Sequence, residues 1–194
     1  MRRHNLASAV SFSGVKSRLI QAGYTLHELL ITSIIAGALG TGAVSFIGLM
    51  QDTRMATAVN SMMGDLALAR SAAITRNAMV TLCKSRDGVS CTDDSAWHEG
   101  WLVFADDNNN HDVDSGEMIL HVQERLAGDM KLRYGETGGY HYVRYNSTGE
   151  AWPGATFTFC DGRGTQNAKA VVVYWSGRPR VSVKTAEGKP LRCS

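Results

Sequence analysis

Two short stretches carry the residue types of a binding site. In DDNNNHDVDSGE, oxygen-bearing side chains recur at Asp106, Asn108, Asn110, Asp112, Asp114 and Glu117. That is the ligand spacing of a calcium loop, D-x-N-x-N-x-D-x-D-x-x-E, which surrounds a hard cation with oxygen. His111 departs from it, standing at the sixth position, where glycine normally permits the sharp turn. The flanks read as strands rather than as the two helices of an EF-hand. An Asx-turned hairpin accounts for the same residues, because Asn and Asp side chains bond to their own backbone two residues on.

The second stretch is YWSGRPRVSVK. Pro179 removes a backbone donor and biases Arg178 toward an extended conformation. In an extended chain Arg178 and Arg180 point to the same side, and Lys184 continues it. Two guanidiniums on one face make a fork suited to phosphates, and Ser176-Gly177 supplies a turn ahead of them. A basic pair that blunts an edge strand is the plainer account.

A third residue of interest is Glu28, at the start of the otherwise uncharged run Leu29–Met50. A carboxylate held in lipid is costly and calls for a partner. The run is long enough to cross a bilayer. It is rich in small residues, and Ala36 with Gly40 and Ala38 with Gly42 stand at the spacing that lets helices approach closely. A secretory signal peptide fits less well: its apolar stretch is shorter and ends at a small-residue cleavage site.

These residues need elements to hold them. Arg2, Arg3, Lys16 and Arg18 precede Gly23 with no acid among them, so without them the net charge of +2 becomes −2. Such a basic flank orients an apolar helix with its C-terminal side outward. From Arg163 onward seven basic residues face Glu187 alone, a local balance of +6 that suits an anion-binding surface or a solvated tail. Past Met50, Met55, Val59, Met62, Leu66, Ala69 and Ala73 recur at alternating four- and three-residue steps, with Arg54, Asp65, Arg70 and Arg76 off that stripe. This predicts a long helix ending near Asn77, a residue suited to the left-handed C-cap.

Strands are expected over 79–84, 100–105, 117–123, 140–145, 156–160, 170–175 and 180–184, with Gly, Asn and Asp between them. One long helix followed by strands is an α+β layout, the helix lying on an antiparallel sheet. Tyr140, Tyr142, Trp152 and Trp175 read as sheet and core aromatics rather than as a base-stacking platform. Cys83, Cys91, Cys160 and Cys193 have no zinc spacing; outside the inner membrane they read as two disulfides. Nearest-in-sequence pairing is taken among three connectivities. No catalytic motif occurs, and the histidines lack carboxylate partners at a motif spacing, so an enzyme is not expected.

GYTLHELL, from Gly23 to Leu30, resembles the cleavage and methylation signature of type IV prepilins and type II secretion pseudopilins, G-F-T-L-x-E-L-L. Tyr24 replaces Phe and His27 an aliphatic residue. The resemblance implies a prepilin peptidase that cuts after Gly23 and N-methylates Tyr24. The new amino terminus, four residues before Glu28 and on the same helix face, would then neutralise that acid within the chain or in a neighbouring subunit. A glutamate snorkelling to the cytoplasmic interface is the alternative.

LALARSAAITRNAMVTLC and GWLVFADDNNNHDVDSGEMIL are similar to the GspH/FimT family of minor pilins and pseudopilins. The shared pattern is an A-R-S-x-A-I-x-R-N-x-x-V junction, a G-W-x-V-F strand and an Asp/Asn-rich turn. The resemblance implies a type IV pilin-like fold: leader 1–23, transmembrane helix 24–50, amphipathic helix 51–77, and β-rich periplasmic or extracellular domain 78–194. It implies a single-pass protein of the inner membrane, assembled with other minor and major pilins or pseudopilins into a pilus or a type II secretion pseudopilus. The G-R-P-R element resembles one in FimT-type pilins implicated in DNA uptake, which implies contact with the phosphate backbone of double-stranded DNA.

Overall fold

A computed structural model describes residues 23–94, 96–135 and 140–193; of the side chains, those of 38–45 and Ala155 are outside the description. The basic residues of the leader therefore fall outside it, as do the side-chain surroundings of Ala38, Gly40 and Gly42 of the small-residue pairs. The chain divides into two compact units, Met1–Val44 and Ser45–Ser194, each taken by itself.

The helix α1 is assigned over Leu26–Arg76. In the first unit Thr25 caps its start: the Glu28 N–H donates to the Thr25 carbonyl at 3.1 Å and to its Oγ1 at 3.3 Å. Thr25 with Glu28 has the T-x-x-E spacing of a capping box. Gly23 and Tyr24 thus precede the helix. Every residue from 23 to 37 is exposed. Among the described residues no helix is long and apolar enough to cross a membrane; the expected span over 24–50 has the side chains of 38–45 outside the description.

In the second unit the stripe is buried as its periodicity predicts, Met62, Leu66, Ala69 and Ala73 completely. The helix closes at Asn77, whose φ of 53° is left-handed. Ala78 N–H reaches the Ala73 carbonyl and Asn77 N–H the Ile74 carbonyl, the paired bonds of a Schellman cap.

Among the described residues nine strands follow: β1 Val80–Lys84, β2 Trp101–Ala105, β3 Ile119–Gln123, β4 Lys131–Tyr134, β5 Tyr142–Tyr145, β6 Ala151–Trp152, β7 Ala155–Cys160, β8 Lys169–Val173 and β9 Pro179–Ser182. They form two antiparallel sheets, β3-β2-β1-β5-β6 and β4-β7-β8-β9, where a single sheet was expected. Strands β4 and β6 escape sequence reading because each is short and stands by pairing, β4 with β7 and β6 with β5. The inner faces of both sheets meet the helix stripe in one core that holds Val80, Trp101, Val143, Phe157 and Val171.

A smaller cluster covers the outer face of each sheet. Cys83, Leu102, Phe104 and Tyr142 lie outside the first; Cys160, Ala170, Val172 and Leu191 lie outside the second. A disulfide serves each cluster. Cys83–Cys91 closes a short loop beside the first, and Cys160–Cys193 ties the C-terminal segment over the second.

Candidate functional site

The arginine pair is presented by a turn that only glycine can make. The Gly177 N–H donates to the Tyr174 carbonyl at 2.8 Å, and Gly177 has a φ of 73°. A Cβ there would stand 1.9 Å from the Gly149 carbonyl oxygen. That carbonyl also accepts from Arg70 Nε of the helix at 3.0 Å, and the Trp175 carbonyl accepts from the Ala151 N–H at 2.9 Å. Helix, first sheet and second sheet are thereby joined at one point, with Trp175 and Arg178 standing out from it.

Arg178 and Arg180 are both exposed. The strand β9 is an edge strand that opens on Pro179, where a missing N–H costs no ladder bond. Strict alternation therefore covers only Pro179–Ser182. Arg178 belongs to the turn and Lys184 to a bridge with Pro190, so the common side inferred for all three does not follow from strand geometry. Arg180 lies opposite Val172 on the outer face, its guanidinium 5.6 Å from the Tyr174 ring centre. The Tyr174 hydroxyl in turn donates to the Ala186 carbonyl at 2.5 Å.

Tyr174 also lines a cavity of about 710 Å³ on this face, with Arg133, Thr156, Thr158, Lys189 and Arg192 around it and Glu187 as its acid. Arg133 escaped the sequence reading because β4 did; the exposed–buried alternation of KLRY was the available signal. Arg163, counted with the basic tail, is engaged elsewhere. It pairs with Asp161 at 2.7 Å and with Asp52, and these bonds push the guanidinium higher still and hold the Asp161 carboxyl below its ordinary value.

The aromatics divide differently from the expectation. Tyr142 is buried, but Tyr140, Trp152 and Trp175 are 43%, 50% and 75% exposed. Arg144 lies 4.8 Å from the Trp152 ring centre and also bonds Asn109 at 2.7 Å. His111 stacks on Tyr142 with centres 4.0 Å apart. Burial, and then the Arg144 charge, push its imidazole below the ordinary value.

The loop over Asp106–Glu117 connects β2 to β3. Asp106 is buried and accepts from the Thr81 hydroxyl at 2.7 Å and from the Asn110 and His111 N–H groups. Glu117 accepts the Asp107 N–H on one oxygen and the Asp114 N–H on the other, while Asn108 and Asn110 donate their amides to Asp114. Asp112 contributes only its N–H, to Asn110. His111 takes the left-handed φ of 70° that the sixth position demands. The Asp106, Asp114 and Glu117 carboxylates accept from Thr81 and from the loop's own N–H and amide groups, whereas the exposed Asp107 and Asp112 carboxylates face solvent. Among the described residues no group of three His, Cys, Asp or Glu side chains could hold a metal ion.

A family model described as type II transport protein GspH matches residues 58–177. No curated protein matches the chain. Among solved structures it is similar to the type IV minor pilin FimU of Pseudomonas aeruginosa PAO1. One crystal form gives a TM-score of 0.53 at 15% identity, over 74% of this chain and 98% of that one. A second form of FimU gives 0.49 at 15% identity, over 65% and 90%. The first likeness shows the fold: a long helix with antiparallel strands. The family match covers more than half of the sequence and includes the helix stripe from Val59 to Ala73, strands β1 to β8 and the turn at Gly177. The chain is a structural subunit rather than an enzyme, and it belongs to the GspH family of minor pilins and pseudopilins.

Proposed function

We propose that this subunit helps to start or cap a type IV pilus or a type II secretion pseudopilus. It enters the filament by its N-terminal helix after prepilin peptidase cuts behind Gly23 and methylates Tyr24. Before assembly it sits in the inner membrane with the β-domain on the periplasmic side, and afterwards it packs against other minor and major pilins. One observation carries this reading. Met55, Val59, Met62 and Leu66 are buried by the chain itself, whereas Leu26, Leu29, Leu30, Ile34 and Ile35 are all more than half exposed. So much apolar surface calls for lipid or neighbouring helices to cover it.

Glu28 then sets the axial position of each subunit, because its charge is satisfied at one offset from a neighbour's amine. The test is Glu28→Ala in cells with an active peptidase. Cleavage is expected to proceed and incorporation to fail; normal piliation or secretion by the variant rejects the role.

A second reading, DNA binding in natural transformation, is favoured by the exposed Arg178 and Arg180, the latter over the Tyr174 ring that lines a cavity bordered by Arg133, Lys189 and Arg192. Arg178, Arg180 and Lys184 would grip phosphates of double-stranded DNA without regard to sequence. Affinity would fall by roughly 0.9 log units per log unit of salt for each phosphate engaged. Arg178→Ala with Arg180→Ala should abolish duplex retardation at low salt. Unchanged retardation removes this reading.

A further inference from the structure

The two exposed indoles lie at the same junction as the arginine pair, and the chemistry they offer differs from that of the arginines. Trp175 is 75% exposed, on the turn whose next residues lead to Arg178. Trp152 is 50% exposed on β6, the edge strand of the other sheet. Both line a cavity of about 200 Å³, with Arg144, Asn146 and Glu150 at its polar side.

The turn is held rigidly. Ala151, next to Trp152, bonds the carbonyl of Trp175, and Gly177 sits against Gly149 too closely for any side chain. Exposed indoles fixed by backbone contacts lose little further freedom when a flat ring settles on them. A large aromatic surface left open on a subunit's outer face points to a ligand or partner.

Arg144 stands over the Trp152 ring with its guanidinium 4.8 Å from the ring centre, Arg178 follows Trp175 by three residues, and Glu150 is the acid of the cavity. Its carboxylate is already bonded by the Asn146 amide at 3.0 Å and the Thr148 hydroxyl at 3.1 Å. A flat π-face bordered by cations matches a chain of unpaired bases on a phosphate backbone. In a duplex the base faces are stacked inside and cannot reach an indole, so the two strand forms would meet this surface differently.

We propose that Trp175 and Trp152 form a stacking surface for the unpaired bases of single-stranded nucleic acid, with Arg178 and Arg180 holding the adjoining phosphates. The inference rests on the DNA-binding reading of the arginine pair and adds a preference for single strands to it.

The full chain in detergent, with labelled oligothymidylate and a duplex of equal length, provides the test. Oligothymidylate is expected to bind more tightly than duplex and to quench indole fluorescence. Trp175→Ala should weaken the single strand about tenfold and leave the duplex unchanged, since stacking is typically lost at this scale per base. Trp175→Phe should restore part of the loss, and an unchanged melting temperature shows that the exposed site was altered without unfolding. Equal binding of both forms by the parent, or an equal effect of Trp175→Ala on both, overturns the stacking surface. Duplex binding that Arg178→Ala with Arg180→Ala abolishes would in that case leave the arginine reading standing. Binding of neither form overturns both.

Discussion

The Nε1 of Trp101 donates to Oδ2 of Asp65 over 2.7 Å, tying the middle of the buried helix stripe to the start of β2 in the first sheet. Trp101 is fully buried and Asp65 nearly so, with His121 Nδ1 of β3 2.9 Å from its other oxygen. The helix cannot slide or rotate against β2 without leaving a buried indole donor unpaired.

Asp65→Ala is therefore expected to cost about 1–3 kcal/mol, the range for stranding a buried polar group. Asp65→Asn, which keeps an acceptor for Trp101, should cost less. Burial pushes the Asp65 carboxyl above its ordinary 3.8, against the Trp101 bond and the His121 charge. A raised folded value means that the native state holds the proton more tightly. The contribution of this group to stability is then fully present below 3.8 and is lost as pH rises through the folded value. Urea melts of parent and Asp65→Asn across that interval should show the slope in the parent and its reduction in the variant.

Gly177→Ala should be among the most damaging small substitutions in the chain. It combines a left-handed φ with a steric overlap on the Gly149 carbonyl, against rigid backbone rather than a movable side chain. A loss of about 2–5 kcal/mol follows from adding the two penalties. Gly188, also at positive φ but in open space, should lose only the backbone part when changed to Ala. Thermal melts of the two variants make the comparison.

Opening the Cys160–Cys193 loop, whose ends are 33 residues apart, is expected to cost about 3–4 kcal/mol in the chain-entropy model. Opening Cys83–Cys91, 8 residues apart, should cost about 2–3 kcal/mol. Paired Cys→Ser variants compared by denaturant unfolding would rank them. The longer loop carries a second consequence: without it the segment around Leu191 loses its attachment to the outer face of the second sheet.

For the Asp106–Glu117 loop the expected response to millimolar calcium is an unchanged melting temperature, because Asp106, Asp114 and Glu117 already accept hydrogen bonds from the loop. Asp106→Ala should nonetheless lower stability by about 1–3 kcal/mol through the Thr81 hydroxyl and the two N–H groups left behind. A calcium-dependent rise in melting temperature would reassign these oxygens to metal.

The helix stripe from Met55 to Ala73, its stop at Asn77 and most of the strands were legible in the sequence. Each rests on a local periodicity or on the conformational preference of one residue. GYTLHELL and the ARSAAITRN junction pointed to the family on the same local basis. Tertiary structure decided what depends on distant partners. It divided the strands between two sheets, since a strand as short as Ala151–Trp152 exists only where β5 pairs with it. It buried Asp65, which helical spacing alone puts beside the stripe, because Trp101 offers it a donor. It removed Arg163 from the basic face by giving it Asp161 and Asp52, and brought Arg133 to that face from a strand 45 residues before Arg178. It also left Trp152 half exposed on a sheet edge and Trp175 largely exposed on a tight turn. Alternation along a chain says which side of a strand a residue takes, but only the packing of sheets says whether that side is covered.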